Sequence, residues 1–446
     1  MLSSGASRFA LVGPGLSSPR TVPYRGLGVP LWETAGAAPT LDLNFAENRT
    51  LLDSVTGQNL VTFTRASAGT YVGSDGLIKT APENVPRFDH NPVTGESLGL
   101  LVEEQRANLL LRSEEFGTTW IPSNASVASN STAAPDGTIS ADKLTEDSSA
   151  STVHRIQQTV NFAAATVTYS VYLKAASRNF ALLVGFNGTN NRYIDCKFNL
   201  VNGTVDTIVN GSAAITPAGN GWYRCSVTAA TTVTANNILY VYAASVAGGG
   251  ANYESYTGDG TSGIYIWGAQ LEAGTFPTSY IPTTDSAATR SADVASITGS
   301  AFSSWYRQDE GTFFVNATVP QPSGGNRRIA FATDGTGNNR VGVLFNSSNN
   351  PQMLVSSGGS IFALDSVGSV TATGPVSIAA AYRANGFGLS ANGSAPTSDT
   401  SGSVPSTIDR LSIGSSDGAD RIHGTIQRLS YWATRLPGST LQTITL

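Results

Sequence analysis

Sugars are recognised by aromatic faces, which cover their C–H surfaces, and by amides, carboxylates and guanidinium groups, which bond their hydroxyls. Such groups collect in two stretches of this sequence. The glycine-rich run Gly248–Asp259 holds Asn252, Tyr253, Tyr256 and Asp259, and Asn190-Asn191-Arg192 adds amides and a guanidinium. Asn190, Arg192, Asn252, Tyr253, Tyr256 and Asp259 are therefore the candidate glycan contacts. The competing reading is that Tyr256 and Asp259 only shape the approach to the strand Ile264–Trp267. Trp120, Trp222 and Trp267 read as core.

Cleaving a glycosidic bond asks for more. It needs two carboxylates about 5–9.5 Å apart, which on a strand means acidic residues at i, i+2 or i+4 on one face. No Glu-x-Asp-x-Glu pattern occurs, and Asp309-Glu310, being adjacent, point to opposite faces. His90, His154 and His423 stand in no Ser/His/Asp arrangement, and there is no phosphate loop. No catalytic residue is assigned, and the chain is expected not to be an enzyme. Asp417 and Asp420 share a turn and form a candidate structural calcium site, with a solvated turn as the rival reading. No other cofactor is expected.

The elements that must hold these groups are strands. In 446 residues only 13% are charged and Gly reaches 47, while 40% are hydrophobic. That composition excludes a helical bundle but leaves enough apolar surface for cores. Val167, Tyr169, Val171 and Leu173 alternate, as do Phe180, Leu182, Val184 and Phe186, and Asn202-Gly203, Asn210-Gly211 and Asn220-Gly221 supply the positive φ angles of hairpin turns. A second alternating set runs from Phe313 to Ala391, punctuated by Asp334-Gly335, Asn385-Gly386 and Asn392-Gly393. The fold class is all-β: an extended N-terminal arm, a β collar and two antiparallel β-sandwiches. The expected divisions are 1–40 arm, 41–115 collar, 116–285 first sandwich, 286–309 linker and 310–446 second sandwich. Cys196 and Cys225 sit on apolar strand faces and read as buried free thiols, a cross-strand disulfide being the alternative.

The stretch TFTRASAGTYVGSDGLIKTAPENVPRFDHNPVTGESLGLLVEEQRANLLLRSEEF resembles a module of tailed-bacteriophage virion proteins, including tail fibres and head spikes. The run YTGDGTSGIYIWGAQLEAGTFPTSYIP resembles the closing strand and exit linker of the jelly-roll, carbohydrate-binding-module-like sandwich that often follows it. The end of the chain, HGTIQRLSYWATRLPGSTLQTIT, resembles concanavalin- or laminin-G-like domains. The resemblance implies a virion fibre or spike protein that adheres to host-surface glycans. A capsule depolymerase, a purely structural capsid decoration and a secreted bacterial lectin are the alternatives.

Residues 1–40 match no part of that module. They are rich in Gly, Pro and Ser, carry Arg8, Arg20 and Arg25 against Glu33, and read as an arm docking on other virion proteins. The apolar run Leu98–Leu111 suggests a homotrimer joint centred on Leu101, Leu109 and Leu111, the rival reading being that the segment packs onto its own sandwich. A net charge of −5 disfavours nucleic acid as partner. With no apolar run long enough for a bilayer, no membrane is expected either. No signal peptide is recognised, so assembly into the virion in the bacterial cytoplasm is expected.

Overall fold

The computed structural model describes residues 31–446 except 233, 235, 251–253, 321–324, 367–373, 417 and 419, and leaves the side chains of 362–366 undescribed. Four antiparallel sheets pair as two sandwiches. The first sandwich stacks two six-stranded sheets. One runs in the order Ser212–Pro217, Tyr223–Thr231, Ala165–Ala175, Gly263–Ala273, Ala141–Glu146, Ala125–Thr132. The other runs Thr204–Asn210, Arg192–Asn199, Phe180–Phe186, Asn237–Ala244, His154–Val160, Ile121–Ser123. Between them Ile156, Val171, Leu183, Cys196, Cys225, Val241 and Ile266 are buried in one core. Both cysteines are free thiols, and burial pushes the Cys196 thiol up to about 12. At the hairpin before Tyr223, Asn220 and Gly221 have φ of 50° and 79°, the left-handed pair that a two-residue type I′ turn requires.

The second sandwich is discontinuous in sequence. Its seven-stranded sheet begins with Thr62–Thr64 and Val294–Thr298 and continues through Arg410–Ile413 to the hairpins of 327–366. Its eight-stranded sheet is built on Glu310–Thr318 and Gly424–Trp432, and Gly424–Trp432 also pairs with Ser97–Val102 and with Leu41–Leu43. The segment expected to be a collar is thus spent inside a sandwich. Leu41, Leu43, Phe63, Leu100 and Val102 share one core with Phe313, Val343 and Leu429. The first sandwich is an insertion between 102 and 294, and the strands leading in and out, Arg106–Asn108 and Ala288–Arg290, pair with each other. The expected linker 286–309 is likewise folded into strands and the short helix Gly299–Ser303.

This insertion explains the apolar run at 98–111, which crosses from one core to the other. Leu101 is 5% exposed and pairs with Thr425. Leu110 lies fully in the first core with Leu109 half-buried against it, and the Leu111 backbone exchanges two hydrogen bonds with Gln158. Of the expected trimer joint, Leu101 and Leu109 are thus engaged within their own chain and Leu111 is held there by its backbone, which matches the rival reading of the segment. The end of the expected arm is also part of the fold. The helix Leu31–Ala35 packs on the helix Gly438–Ile444, and Trp432 Nε1 donates to Ala37 O at 2.8 Å. Residues 1–30 lie outside the described residues.

Where the two sandwiches meet, five charges are buried together. Arg87 donates to Asp293 at 2.5 Å and lies 2.7 Å from Glu103, and Arg65 reaches Asp293 at 3.2 Å. Arg290 lies 3.4 Å from the same Glu103 oxygen as Arg87. Burial alone would raise the Glu103 carboxyl, but Arg290 and Arg87 hold it well below the usual range. Truncating one member strands the others in a dry interior. Arg87→Ala is expected to cost about 3–5 kcal/mol in denaturant unfolding, and an unchanged midpoint would show that water replaces the guanidinium freely.

Candidate glycan-binding face

Two of the four outward sheet faces are covered by other parts of the chain, and on a third the stacked cation is already paired. Helices Leu31–Ala35 and Gly438–Ile444 cover Phe314, Ala379 and Trp432 on the eight-stranded sheet. Ile78, from the hairpin Gly69–Val72 and Ile78–Ala81, packs against Trp222, Trp267, Tyr172 and Tyr280 on one face of the first sandwich. On the seven-stranded sheet Phe331, Leu344 and Leu354 form a small cluster with Arg328 over the Phe331 ring, and Arg328 pairs with Asp420 at 2.8 Å.

The fourth face is the outer side of the sheet containing Phe180–Phe186, Asn237–Ala244 and His154–Val160. Period-two alternation sends Ile156, Leu183 and Val241 to the core and Arg155, Gln157, Leu182, Val184, Tyr240 and Tyr242 outward. The extensive packing partners of these three strands all belong to the same sandwich. Tyr240 and Tyr242 meet edge to face at 5.8 Å, and Tyr240 meets Phe186 at the same distance. Arg155 lies over both tyrosines, 4.4 and 5.4 Å from their centroids, and donates to Tyr242 Oη at 2.7 Å. Burial pushes the Tyr242 hydroxyl up, so it stays protonated. The result is a cluster of rings covered by guanidinium groups, with Tyr240 and Tyr242 buried at 6% and 2% exposure and Arg155 and Phe186 half-buried at its surface.

Of the six sequence-predicted contacts, Arg192 reaches this face. It stacks over Phe186 at 5.1 Å and pairs with buried Asp195 at 2.7 Å. Asn190 lies in the adjoining turn with φ of 64°, its N–H bonded to Asn187 O. Tyr256 and Asp259 are elsewhere, in a network closed on itself. Tyr256 Oη donates to Glu146 at 2.7 Å, and Arg178 grips the same carboxylate at 2.8 and 2.5 Å while lying over the Tyr256 ring. Asp259 accepts from the hydroxyl and N–H of Ser262 and of Thr261, which hold its carboxyl well below its ordinary value. Tyr256 is thus tied into the loop's own network, while Asp259, bonded to Ser262 and Thr261, keeps its side chain half exposed. Asn252 and Tyr253 lie outside the described residues, as does Asp417. Asp420 is spent on Arg328, and no group of three or more metal-ligating side chains occurs among the described residues.

Sequence reasoning missed Arg155, Tyr240 and Tyr242. The signal was the parity of HRIQQTV and NILYVYAA: in both, the residues facing away from the core are large or charged rather than small and polar.

A second concavity lies between the sandwiches, a cavity of about 260 Å³ lined by Tyr71, Asp89, Glu103, Tyr172, Arg224 and His423 among others. Glu103 cannot act on a ligand there. Its oxygens already accept from the Ser279 N–H at 2.7 Å and hydroxyl at 2.6 Å besides meeting Arg87 and Arg290. Asp89 differs: no arginine grips it, and it accepts from the Val72 N–H at 2.7 Å.

Comparison with known proteins follows from this geometry. No family model and no curated protein matches the chain. Among solved structures it resembles the Ruminococcus gnavus IT-sialidase CBM40 bound to α2,3-sialyllactose, at 15% identity over 31% of this chain and 84% of that one, TM-score 0.28. It also resembles the NanB sialidase of Streptococcus pneumoniae, at 15% identity over 34% and 26%, TM-score 0.29. For Trypanosoma rangeli sialidase the figures are 11% identity over 69% and 60%, TM-score 0.28. These are β-sandwich and sialidase proteins, and no phage fibre stands among them. The expectation that the chain is not an enzyme is corrected to this extent: sialidases stand among the matches, one of them over 69% of this chain and 60% of its own. At such TM-scores the likeness assigns neither an activity nor a ligand.

Burial, with Glu103 nearby, raises the Asp89 carboxyl to about 6 from 3.8. The ionised form is the one penalised, so the cost is absent below pH 3.8, grows as pH rises and is complete above about 6. Asp89→Asn keeps the acceptor for Val72 and is expected to stabilise the protein by about 2–3 kcal/mol at pH 7.5. At pH 3.5 it should change little. Equal effects at the two pH values in thermal unfolding would show that Asp89 is not desolvated.

Proposed function

We propose that this chain is a glycan-binding protein of a tailed-bacteriophage particle, meeting sugar on the outer face of its inserted sandwich. The observation that carries the binding reading is the cluster of Phe186, Tyr240 and Tyr242 with Arg155 and Arg192 stacked on its rings, on a sheet face that residues 246–248 and Glu254 cross only at one end, over Lys197. Rings present C–H-complementary surface and guanidinium edges present donors, the pairing that binds pyranoses weakly and reversibly. The IT-sialidase module named above binds sialyllactose with a β-sandwich, which agrees with this reading without carrying it.

The phage assignment rests on the module resemblance. Its residues Arg65, Arg87 and Glu103 meet Asp293 and Arg290 at the joint, so the resemblance covers the part that mounts one sandwich on the other. Residues 1–30 would attach the protein to other virion components. Trimerisation through Leu101, Leu109 and Leu111 is no part of this reading.

Two experiments test it. The full chain should be retained by surface polysaccharide of the bacterium that supports the phage. Thr159→Trp fills the exposed end of the face without removing a buried side chain, and should cut retention by about fivefold or more; unchanged retention would move the sugar to another surface. Deleting residues 1–30 should leave the unfolding transition in place and abolish co-purification with particles. Full occupancy of the truncated chain would remove the docking assignment.

A further inference from the structure

The cavity between the sandwiches holds one charge that its own walls do not match. Of the charged groups lining it, Glu103 is spent on Arg87, Arg290 and Ser279, and His423 Nδ1 stands 3.0 Å from Glu103 with its ring stacked on Phe276 at 4.9 Å. Arg224 lies over the Tyr172 ring and donates to Thr278 O at 2.6 Å and to Ser170 Oγ at 3.1 Å. Thr278 in turn gives its N–H and its hydroxyl to Glu272, so this cation is balanced through one residue. Asp89 forms no ion pair among the described residues. The neighbouring Arg87 spends its terminal nitrogens on Asp293, Glu103, Thr70 O and Ser279 Oγ.

An unpaired carboxylate set back in such a wall is costly. Its Oδ1 accepts from the Val72 N–H, a bond that an asparagine would make equally well. What the carboxylate adds is negative charge, and that charge is within reach of a ligand: Asp89 is half-buried, and neither of its oxygens is sealed from water without a partner. Around it the cavity of about 260 Å³ combines apolar wall from Ile78, Leu98 and Pro277 with half-buried Tyr71 and Thr318. That volume lies just under the roughly 300 Å³ at which small-ligand sites begin, so the occupant is a single ring and not a chain. A guanidinium asks for a forked pair of acceptors, and Oδ1 is already turned to Val72. An ammonium is a compact charge with three rotatable donors, which suits one free carboxylate oxygen and scattered hydroxyls.

We infer that the cavity between the sandwiches is a second binding site, for a monosaccharide-sized ligand that carries a primary ammonium, with Asp89 as the residue that takes the ammonium. The site is separate from the outer face of the inserted sandwich and stands on different residues. Keeping an acid where an asparagine would serve the fold better is the exchange of stability for function that binding sites make.

The test titrates the full chain at pH 7 with glucosamine and with N-acetylglucosamine, which keeps the ring and lacks the charge, read by ligand-observed NMR. Glucosamine is expected to bind about ten- to hundredfold more tightly, as for gain of a hydrogen bond between charged groups. Asp89→Asn should remove that advantage and leave N-acetylglucosamine within about twofold. Because this variant is expected to be more stable than the parent at neutral pH, its loss of binding is not misfolding, and thermal unfolding checks this. Leu98→Trp narrows the cavity and should weaken glucosamine about fivefold or more, whereas Thr159→Trp on the outer face should leave it unchanged. Glucosamine binding that is absent, no tighter than that of N-acetylglucosamine, or intact in Asp89→Asn would overturn the inference. Binding lost in Thr159→Trp and kept in Leu98→Trp would also overturn it, by moving the amino sugar to the outer face. Retention on host polysaccharide reads the outer face independently, so either site can fail while the other stands.

Discussion

The arrangement of the two sandwiches depends on one cluster of buried charge. Arg65, Arg87 and Arg290 face Glu103 and Asp293 with side chains at most 1% exposed. Taking five ions out of water costs several kcal/mol for each, and only close, complete pairing offsets it. The acceptors come from separate places. Arg87 also donates to Thr70 O and Ser279 Oγ, Arg65 to Ala81 O and Pro82 O, and Arg290 to Glu104 O. These ion pairs form together in one mutual placement of strands 62–64, 88–90 and 97–102 with the chain returning at 290–293. Apolar contacts alone would tolerate small slides; ion pairs with fixed forks do not. The charge therefore specifies a mounting angle more than it adds stability.

The insertion makes such a device useful. The outer sandwich cannot close until residues 294–446 return to strands that left the core at 102, after the whole inserted domain has been made. Its contacts are long-range, and long-range pairing is slow because loop closure precedes the reward. The pairing of Arg106–Asn108 with Ala288–Arg290 shortens that loop, since it brings the two ends of the insert together. Asn108 assists by donating to Ala269 O and Ile281 O while its Oδ1 accepts from the N–H groups of Leu110 and Leu271. A folded insert then presents 102 and 294 side by side, and the outer sandwich closes across a short gap.

The two sandwiches were legible because their strands are long and half-buried, so that alternation and Asn-Gly turns report the fold directly. The collar misled for a physical reason. Its strands Leu41–Leu43, Thr62–Thr64 and Phe88–His90 are three residues each, too short to show a period, and are strands only because distant partners pair with them. Arg65 and Arg87 drew no reading as partners of Asp293, since residue type does not show which ions meet across more than two hundred residues. Tyr256 and Asp259 illustrate the converse. An aromatic and a carboxylate in a glycine-rich loop suit a sugar and suit an internal network equally. Glu146, 110 residues away from Tyr256, decides between them.

The same accounting locates the binding face. Aromatic side chains outside the cores stand over Ala379 and Ala381 beneath helices, against Ile78 at the joint, or on the sheet of Tyr240 and Tyr242. In the first two places another part of the chain completes the burial, and the polar atoms of the rings are bonded internally: Trp432 to Ala37, Trp222 to Ala133, Trp267 to Ser140. On the seven-stranded sheet the arginine over Phe331 has its carboxylate in Asp420. At Tyr240 and Tyr242 the cover is Arg155, whose positive charge has no counterion among the described residues. A hydrophobic cover would bury the rings more cheaply than a cation half in solvent, because the arginine must give up hydration to lie there. The cation is held there by the ring faces beneath it and by its hydrogen bond to Tyr242 Oη.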